Sequence, residues 1–352
     1  MRVIVFAALA AAAVLTGALP GRARAATAGP AISGPFTYGN LAIYFVHGAS
    51  ASGTVPLTLQ EALVKGTVRV VETGSVNELR IENSGNEDVF IQSGDIVKGG
   101  RQDRVLTVSL VLPKNSGEVP VAAFCVEHGR WSARGAEDAA QFASSYNSLP
   151  SREAKLAMKA PLPAAADSPP NARPFYPQSE TGARQRAVWD EVAKTQHKLS
   201  AGVNAPVASP ASSTSLELSL DNDKLKRLRA EYTKALEDKA TDSDILGLVF
   251  AVNGRINSAD IYPSNGLFRK MWAKLLSAAV TEAVGESKTA EPGNAPPVEA
   301  VRDFLGAAEK GKSHAQEIGS LAHVETRDAD ASLFVEASRP DGEWVHRNYL
   351  AK

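Results

Sequence analysis

The sequence predicts an α+β fold, rich in short strands in its first half and in helices in its second. Three observations carry this. Short β-branched or alternating runs bounded by Gly, Asn, Pro and Ser fill residues 41–150. Apolar residues recur at three- and four-residue spacing after residue 177. An Asn253-Gly254 pair, a strong hairpin-turn signal, joins two strand-like runs within that second half.

The first element is a leader. Arg2 precedes an apolar run at 3–19, which ends in Pro20, Gly21, Arg22, Ala23, Arg24 and Ala25. A cationic start, an apolar stretch too short to span a bilayer and a small-residue A-x-A site describe a signal peptide cut near Ala25. No cysteine near the cut could carry a lipid, so the expected product is free, without a membrane span, and periplasmic or secreted. Residues 26–40 read as an extension, and residues 41–352 as a single α+β domain.

Strands are expected at 41–46, 68–72, 78–83, 89–92, 105–112 and 119–126, with one helix opening at Thr58. There Glu61 stands three residues on, as a capping box requires. Residues 160–176 are too dense in proline for a helix or a central strand. Helices follow at 182–196, 221–237, 267–284 and 298–310, with a Pro- and Ser-bearing loop at 201–213. The hairpin occupies 245–252 and 255–262, and strands at 332–337 and 343–349 could join its sheet. No fixed-period repeat is present.

Composition narrows the partners. Hydrophobic residues make up 44% and charged residues 22%, enough for a core without the charge excess of a disordered chain. The net charge of −1 becomes −4 once Arg2, Arg22 and Arg24 are removed, which disfavours nucleic acid. The single cysteine, Cys125, can form no intramolecular disulfide. The six histidines stand at no metal-ligand spacing, and neither a P-loop, a dinucleotide fingerprint nor a GxSxG elbow occurs, so no metal or cofactor is expected.

Two segments concentrate chemistry. The first places Lys98, Gly99, Gly100, Arg101, Gln102 and Arg104 at a turn between two strands. Consecutive glycines let backbone N–H groups approach a ligand, and the cations supply donors for a phosphate or carboxylate. The plain alternative is a Gly-Gly turn rimmed by solvated cations. The second, residues 125–131, brings Cys125, Glu127, His128, Arg130 and Trp131 to a strand end. Strand alternation puts Cys125 and His128 on opposite faces, against a simple dyad, and Glu127, Arg130 and Trp131 are the better ligand contacts. A Glu–Arg pair under a packed Trp explains them equally well. Asp260 and the acidic pair Asp190-Glu191 could serve in acid/base roles.

In order, the motifs TLQEAL, GDIVKGGRQDRVL, CVEHGRW, VFAVNGRI…ADIY and LFRKMWAKLL resemble the ARG and rhodanese-phosphatase-superfamily-associated protein domain, from about residue 41 to 349. The family loop reads G-G-K-Q-N-R. Gly99, Gly100, Gln102 and Arg104 match it, while Arg101 and Asp103 depart, and an acidic Asp103 counts against a purely anionic ligand. The resemblance implies a fold and, through its name alone, an association with ADP-ribose and phosphate chemistry.

If the two segments meet at one sheet edge, within roughly 15 Å of each other, they form a polar pocket for a small anionic ligand. Two classes of function then remain. One is a non-catalytic ligand-binding or protein-interaction module of the cell envelope. The other is a hydrolase or transferase on a phosphorylated or ADP-ribose-like substrate, with Glu127 as general base. Ionisation of Glu127 separates them: unpartnered burial raises its pKa and suits proton transfer, whereas a lock to Arg130 lowers it and marks a structural role.

Overall fold

The computed structural model describes residues 30–159, 180–289, 291 and 293–352. The expected leader at 1–25 and the proline-dense stretch 160–176 lie outside the described residues. Where a separate extension was expected, β1 (Ala31–Tyr38) pairs antiparallel with β2 (Leu41–His47), so these residues belong to the main sheet.

β3 (Leu57–Thr58) runs into α1 (Leu59–Lys65) through the expected capping box. Glu61 N donates to Thr58 Oγ1 at 3.2 Å and Thr58 N donates to Glu61 Oε2 at 2.7 Å, which satisfies two of the helix's free donors. Gly66 closes the helix at φ +70°, a conformation that suits glycine.

The rest of the first half is β4 (Val68–Glu72), β5 (Glu78–Asn83), β6 (Val89–Ile91), β7 (Asp95–Gly99), β8 (Arg104–Leu106), β9 (Leu110–Leu112), β10 (Gly117–Cys125) and β11 (Phe142–Ser148). They form a six-stranded sheet, β11-β7-β8-β10-β5-β4, and a three-stranded one, β3-β6-β9. The single strand expected at 105–112 is therefore two. β8 belongs to one sheet and β9 to the other, and the chain breaks at 107–109 to cross between them.

The second half holds α2 (Arg152–Lys159), α3 (Glu180–Gly202), α4 (Leu216–Leu220) and α5 (Asp223–Leu236). Then come β12 (Ile245–Val252), β13 (Arg255–Ile261), α6 (Asn265–Glu286), α7 (Val298–Ala308), β14 (Lys312–Ile318), β15 (Ala322–Ala329), β16 (Ser332–Ser338) and β17 (Trp344–Ala351). The helix expected at 182–196 is longer by about two turns and that at 267–284 by about one, and α3 enters what read as a loop at 201–213. The β12–β13 turn has Asn253 at φ 51° and Gly254 at φ 76°, the paired positive angles of a type I′ hairpin.

Eight antiparallel strands order as β1-β2-β12-β13-β17-β16-β15-β14, so both expected C-terminal strands do join the hairpin sheet. Helix α6 carries thirteen buried residues around most of its circumference, which fits a helix enclosed by other layers rather than laid on a surface. Its Phe268, Met271 and Leu275 share one apolar cluster with Ile43 and Phe45 of β2, Phe90 and Val105 of the first half and Val345 of β17. The core thus runs through both halves of the chain. Each such side chain contributes about 1.5–3 kcal/mol by leaving water.

Candidate functional site

The two chemistry-bearing segments meet. Asp103 N donates to Glu127 Oε2 at 3.1 Å, and Arg130 reaches across to the carbonyls of Gly100 at 3.1 Å and Gly99 at 3.3 Å. Gly99 (φ +107°) and Gly100 (φ +54°) shape the loop, and a Cβ on Gly100 would collide with the Phe142 ring.

Much of the charge at this junction, however, is paired within the protein. Glu127 is fully buried and takes Arg130 Nε at 2.8 Å, Arg130 Nη2 at 2.7 Å and the Ser212 hydroxyl. Arg104, also fully buried, donates to Gln102 O at 2.7 Å and pairs with Glu72 at 3.2 Å. Asp103 does not project toward a ligand: it accepts from Gly99 N, from both Nη atoms of Arg134 and from Ser215 Oγ at 2.8 Å. Trp131 is exposed beside the guanidinium groups of Arg101 and Arg104, 5.4 and 5.7 Å from its ring centre. Gln102 is buried, and Lys98 and Arg101 are half-buried at the edge.

Burial pushes the Glu127 carboxyl up, but the bonds from Arg130, Ser212 and Asp103 N outweigh it and hold it below the usual range. By the ionisation criterion this is the signature of a structural carboxylate. Burial raises the Cys125 thiol to about 11, so that residue is an inert buried thiol. Sequence reading missed Glu72, Arg134, Ser212 and Ser215, which complete the network from positions distant in the chain.

Open volume lies elsewhere. A cavity of about 1240 Å³ runs beneath the break between β8 and β9, α2 and the β14–β17 face of the large sheet. Its lining includes Ser109, Lys159, Lys312, His314, His346 and Asn348. On β17, His346 and Asn348 are two apart and share a face, and Asn348 stands directly opposite Asp260 of β13.

Hydrogen bonds tie these residues into a chain. Ser109 Oγ lies 2.8 Å from His346 Nδ1, and His346 Nε2 lies 3.0 Å from Asp260 Oδ1. Asn348 Nδ2 donates to the same Asp260 oxygen at 2.9 Å, and Lys159 Nζ donates to Asn348 Oδ1 at 2.9 Å. The His346 ring stacks on Tyr262 with centres 5.1 Å apart and meets the edge of Phe90 at 6.0 Å.

Burial lowers the His346 pKa below its ordinary 6.5, and the Asp260 bond only partly offsets it, so the imidazole is neutral at pH 7. Asp260 is itself pushed up by burial but held lower overall by His346, so it is ionised. Desolvation brings the Lys159 ammonium down to about 8, although part of its side-chain surface remains accessible.

Among the described residues two groupings of metal-ligating side chains arise only in three dimensions: His47 with Asp242 and Asp244, and Glu153 with Glu282 and Glu286. In the second, Glu153 is already paired with Arg152 and Glu286 with Lys198. Among the described residues no helix is long and apolar enough to cross a membrane.

No curated protein and no solved structure matches the chain. The family model of the ARG and Rhodanese-Phosphatase-superfamily-associated Protein domain matches residues 30–350, nearly the full length, and the chain belongs to that family.

Proposed function

We propose that this protein is exported and works in the cell envelope as a module that binds a small polar ligand, held in the cavity beneath the β8–β9 break. The observation that carries this reading is the pairing of open volume with convergent polar groups. A space of about 1240 Å³ suits a ligand of sugar-phosphate or nucleotide size, while Ser109, His346, Asn348 and Lys159 offer it a polar end. Lys159 and Lys312 favour a ligand with an anionic group. The Gly-Gly loop contributes less to binding, because Glu72 already pairs with its Arg104, and the neighbouring Arg130 and Arg134 are taken by Glu127 and Asp103.

A thermal-shift screen of the mature protein tests this, using phosphorylated sugars, nucleotides, ADP-ribose and envelope metabolites. A ligand at a hundredfold excess over its Kd stabilises by about 2.7 kcal/mol, a shift of several degrees. Lys159→Ala should abolish the shift. Loss instead in Gln102→Ala, with Lys159→Ala still responsive, would move the site to the loop. Fractionation of expressing cells, with N-terminal sequencing of the product, should find a chain starting just after Ala25 outside the cytoplasm.

A further inference from the structure

We propose that Ser109, His346 and Asp260 make the cavity a site of acyl transfer to water, with Ser109 as nucleophile, His346 as base and Asp260 as the residue that positions the imidazole. This rests on the cavity reading and deepens it: the ligand becomes a substrate, a carboxylic ester with an apolar acyl group and a polar remainder.

The protons of the chain admit one consistent arrangement. Ser93 N donates to Ser109 Oγ at 2.9 Å, so the hydroxyl's own hydrogen is left for His346 Nδ1, 2.8 Å away. With Nδ1 accepting, the ring proton sits on Nε2 and points at Asp260 Oδ1, 3.0 Å away. That is a neutral base with its lone pair on the nucleophile and its far side held by a carboxylate, the roles of a serine–histidine–aspartate triad with the two ring nitrogens exchanged, since in the usual triad Nε2 faces the serine. Tyr262 and Phe90 pack the ring, so it does not need to be ordered during reaction.

Location distinguishes this chain of bonds from an ordinary buried network. Ser109 and His346 both line the cavity, Ser109 on the irregular segment between two sheets and His346 on β17. Val108, Phe124, Met158 and Val335 give the same cavity an apolar wall for the acyl chain, and Lys159 and Lys312 a cationic one for the remainder. Asn77 Nδ2, buried and without a partner among the described atoms, lines the same cavity.

The step balances. Ser109 Oγ bonds to the carbonyl carbon, its proton passes to His346 Nδ1, and the π pair moves onto the carbonyl oxygen. Collapse breaks the bond to the leaving oxygen, which takes the proton from His346 and departs as an alcohol. Water then attacks the acyl-serine, gives a proton to His346 and displaces Ser109 Oγ. That oxygen recovers a proton from His346, and the acid leaves.

Two probes test the proposal on the mature protein: a fluorophosphonate, which traps an activated serine, and 4-nitrophenyl butyrate. The expected result is stoichiometric labelling at Ser109 and turnover that falls about a thousandfold or more in Ser109→Ala and in His346→Asn, with near-ultraviolet circular dichroism unchanged. If Ser109→Ala fails to fold, Ser109→Cys replaces it. Its new thiol should be alkylated by iodoacetamide at neutral pH while Cys125 stays unmodified. A folded wild type that is neither labelled nor active, or turnover that survives Ser109→Ala, overturns the assignment. Should Lys159-dependent thermal shifts persist in that case, the cavity remains a binding site and only the chemistry fails; should they be absent as well, both readings fall together.

Discussion

The charge network around Glu127 and the hydrogen-bonded chain around His346 are built from similar material and put to different use. Both bury ionisable groups, and both join segments far apart in sequence. In the first, three arginines face three buried carboxylates, and the residual lone pairs go to backbone N–H groups and serine hydroxyls. Glu72, Asp103 and Glu127 are all committed to the protein's own donors, so the network ties the loops at 99–104, 127–137 and 212–215 together. The second is open at one end: Ser109 and His346 line a cavity. A satisfied network holds a structure in place, and one that terminates at a void can act on what enters.

The sharpest way to break this contrast is Asp260→Asn. An amide facing Nε2 permits the opposite tautomer and turns Nδ1 into a donor, so turnover of 4-nitrophenyl butyrate should fall on the order of 10⁴-fold with the fold retained. Unchanged turnover would reduce Asp260 to a packing role. Arg130→Ala is the complementary cut. It strands Glu127 as a buried charge and should cost about 3–5 kcal/mol in urea denaturation while leaving Ser109 labelling of the remaining folded protein intact. A loss under about 1 kcal/mol would mean that the network is poorly coupled to the fold.

Glu282 supplies a third test, because it is a buried carboxyl in neither network. Burial raises it to about 7, with Glu153 adding repulsion. The folded state therefore binds its proton more tightly than the unfolded state does, and stability is lost as pH rises from the unfolded value through 7. Glu282→Gln keeps an acceptor for Arg152 N and should raise stability on the order of 2 kcal/mol at pH 8, with little change at pH 4. A gain of equal size at both values would exclude ionisation as its cause.

Smaller effects sharpen the picture further. The rate should rise with pH to a half-maximum below 6.5, since burial outweighs the fields of Asp260 and Asp95, and Lys159 acts in the same direction as burial. A midpoint above 7 would point to another base. Thr58→Ala removes the capping box of α1, which supplies no hydrogen bond to either region, and should cost about 1 kcal/mol without altering activity.

Much of the fold was legible in local pattern. The capping box, the Asn253-Gly254 turn and the periodicity of α6 all depend on neighbours within a few residues, and each is where the sequence indicates. β14 was not, because Lys312–Ile318 is an exposed edge strand without the alternation that burial imposes. Ser109 was hidden by the opposite effect. Apolar character continues from Val105 to Leu112 on both sides of a sheet crossing, so nothing local marks the break that frees its hydroxyl. The Gly-Gly loop drew attention through its cations, while the carboxylates that bind Arg104 and the neighbouring Arg134 are Glu72 and Asp103. Of these, only Asp103 lies nearby in the chain. Asp260 was legible as a candidate acid or base, but His346 stood as one of six scattered histidines until β13 and β17 paired.

That pairing sets an order of events during synthesis. Ser109 emerges from the ribosome 237 residues before His346, and the imidazole reaches the hydroxyl only after β17 has been inserted between β13 and β16. A nascent chain, or one clipped ahead of its final strand, would carry the hydroxyl without its base. Esterase activity would therefore register completion of the whole sheet, and could not begin on a partly translated polypeptide.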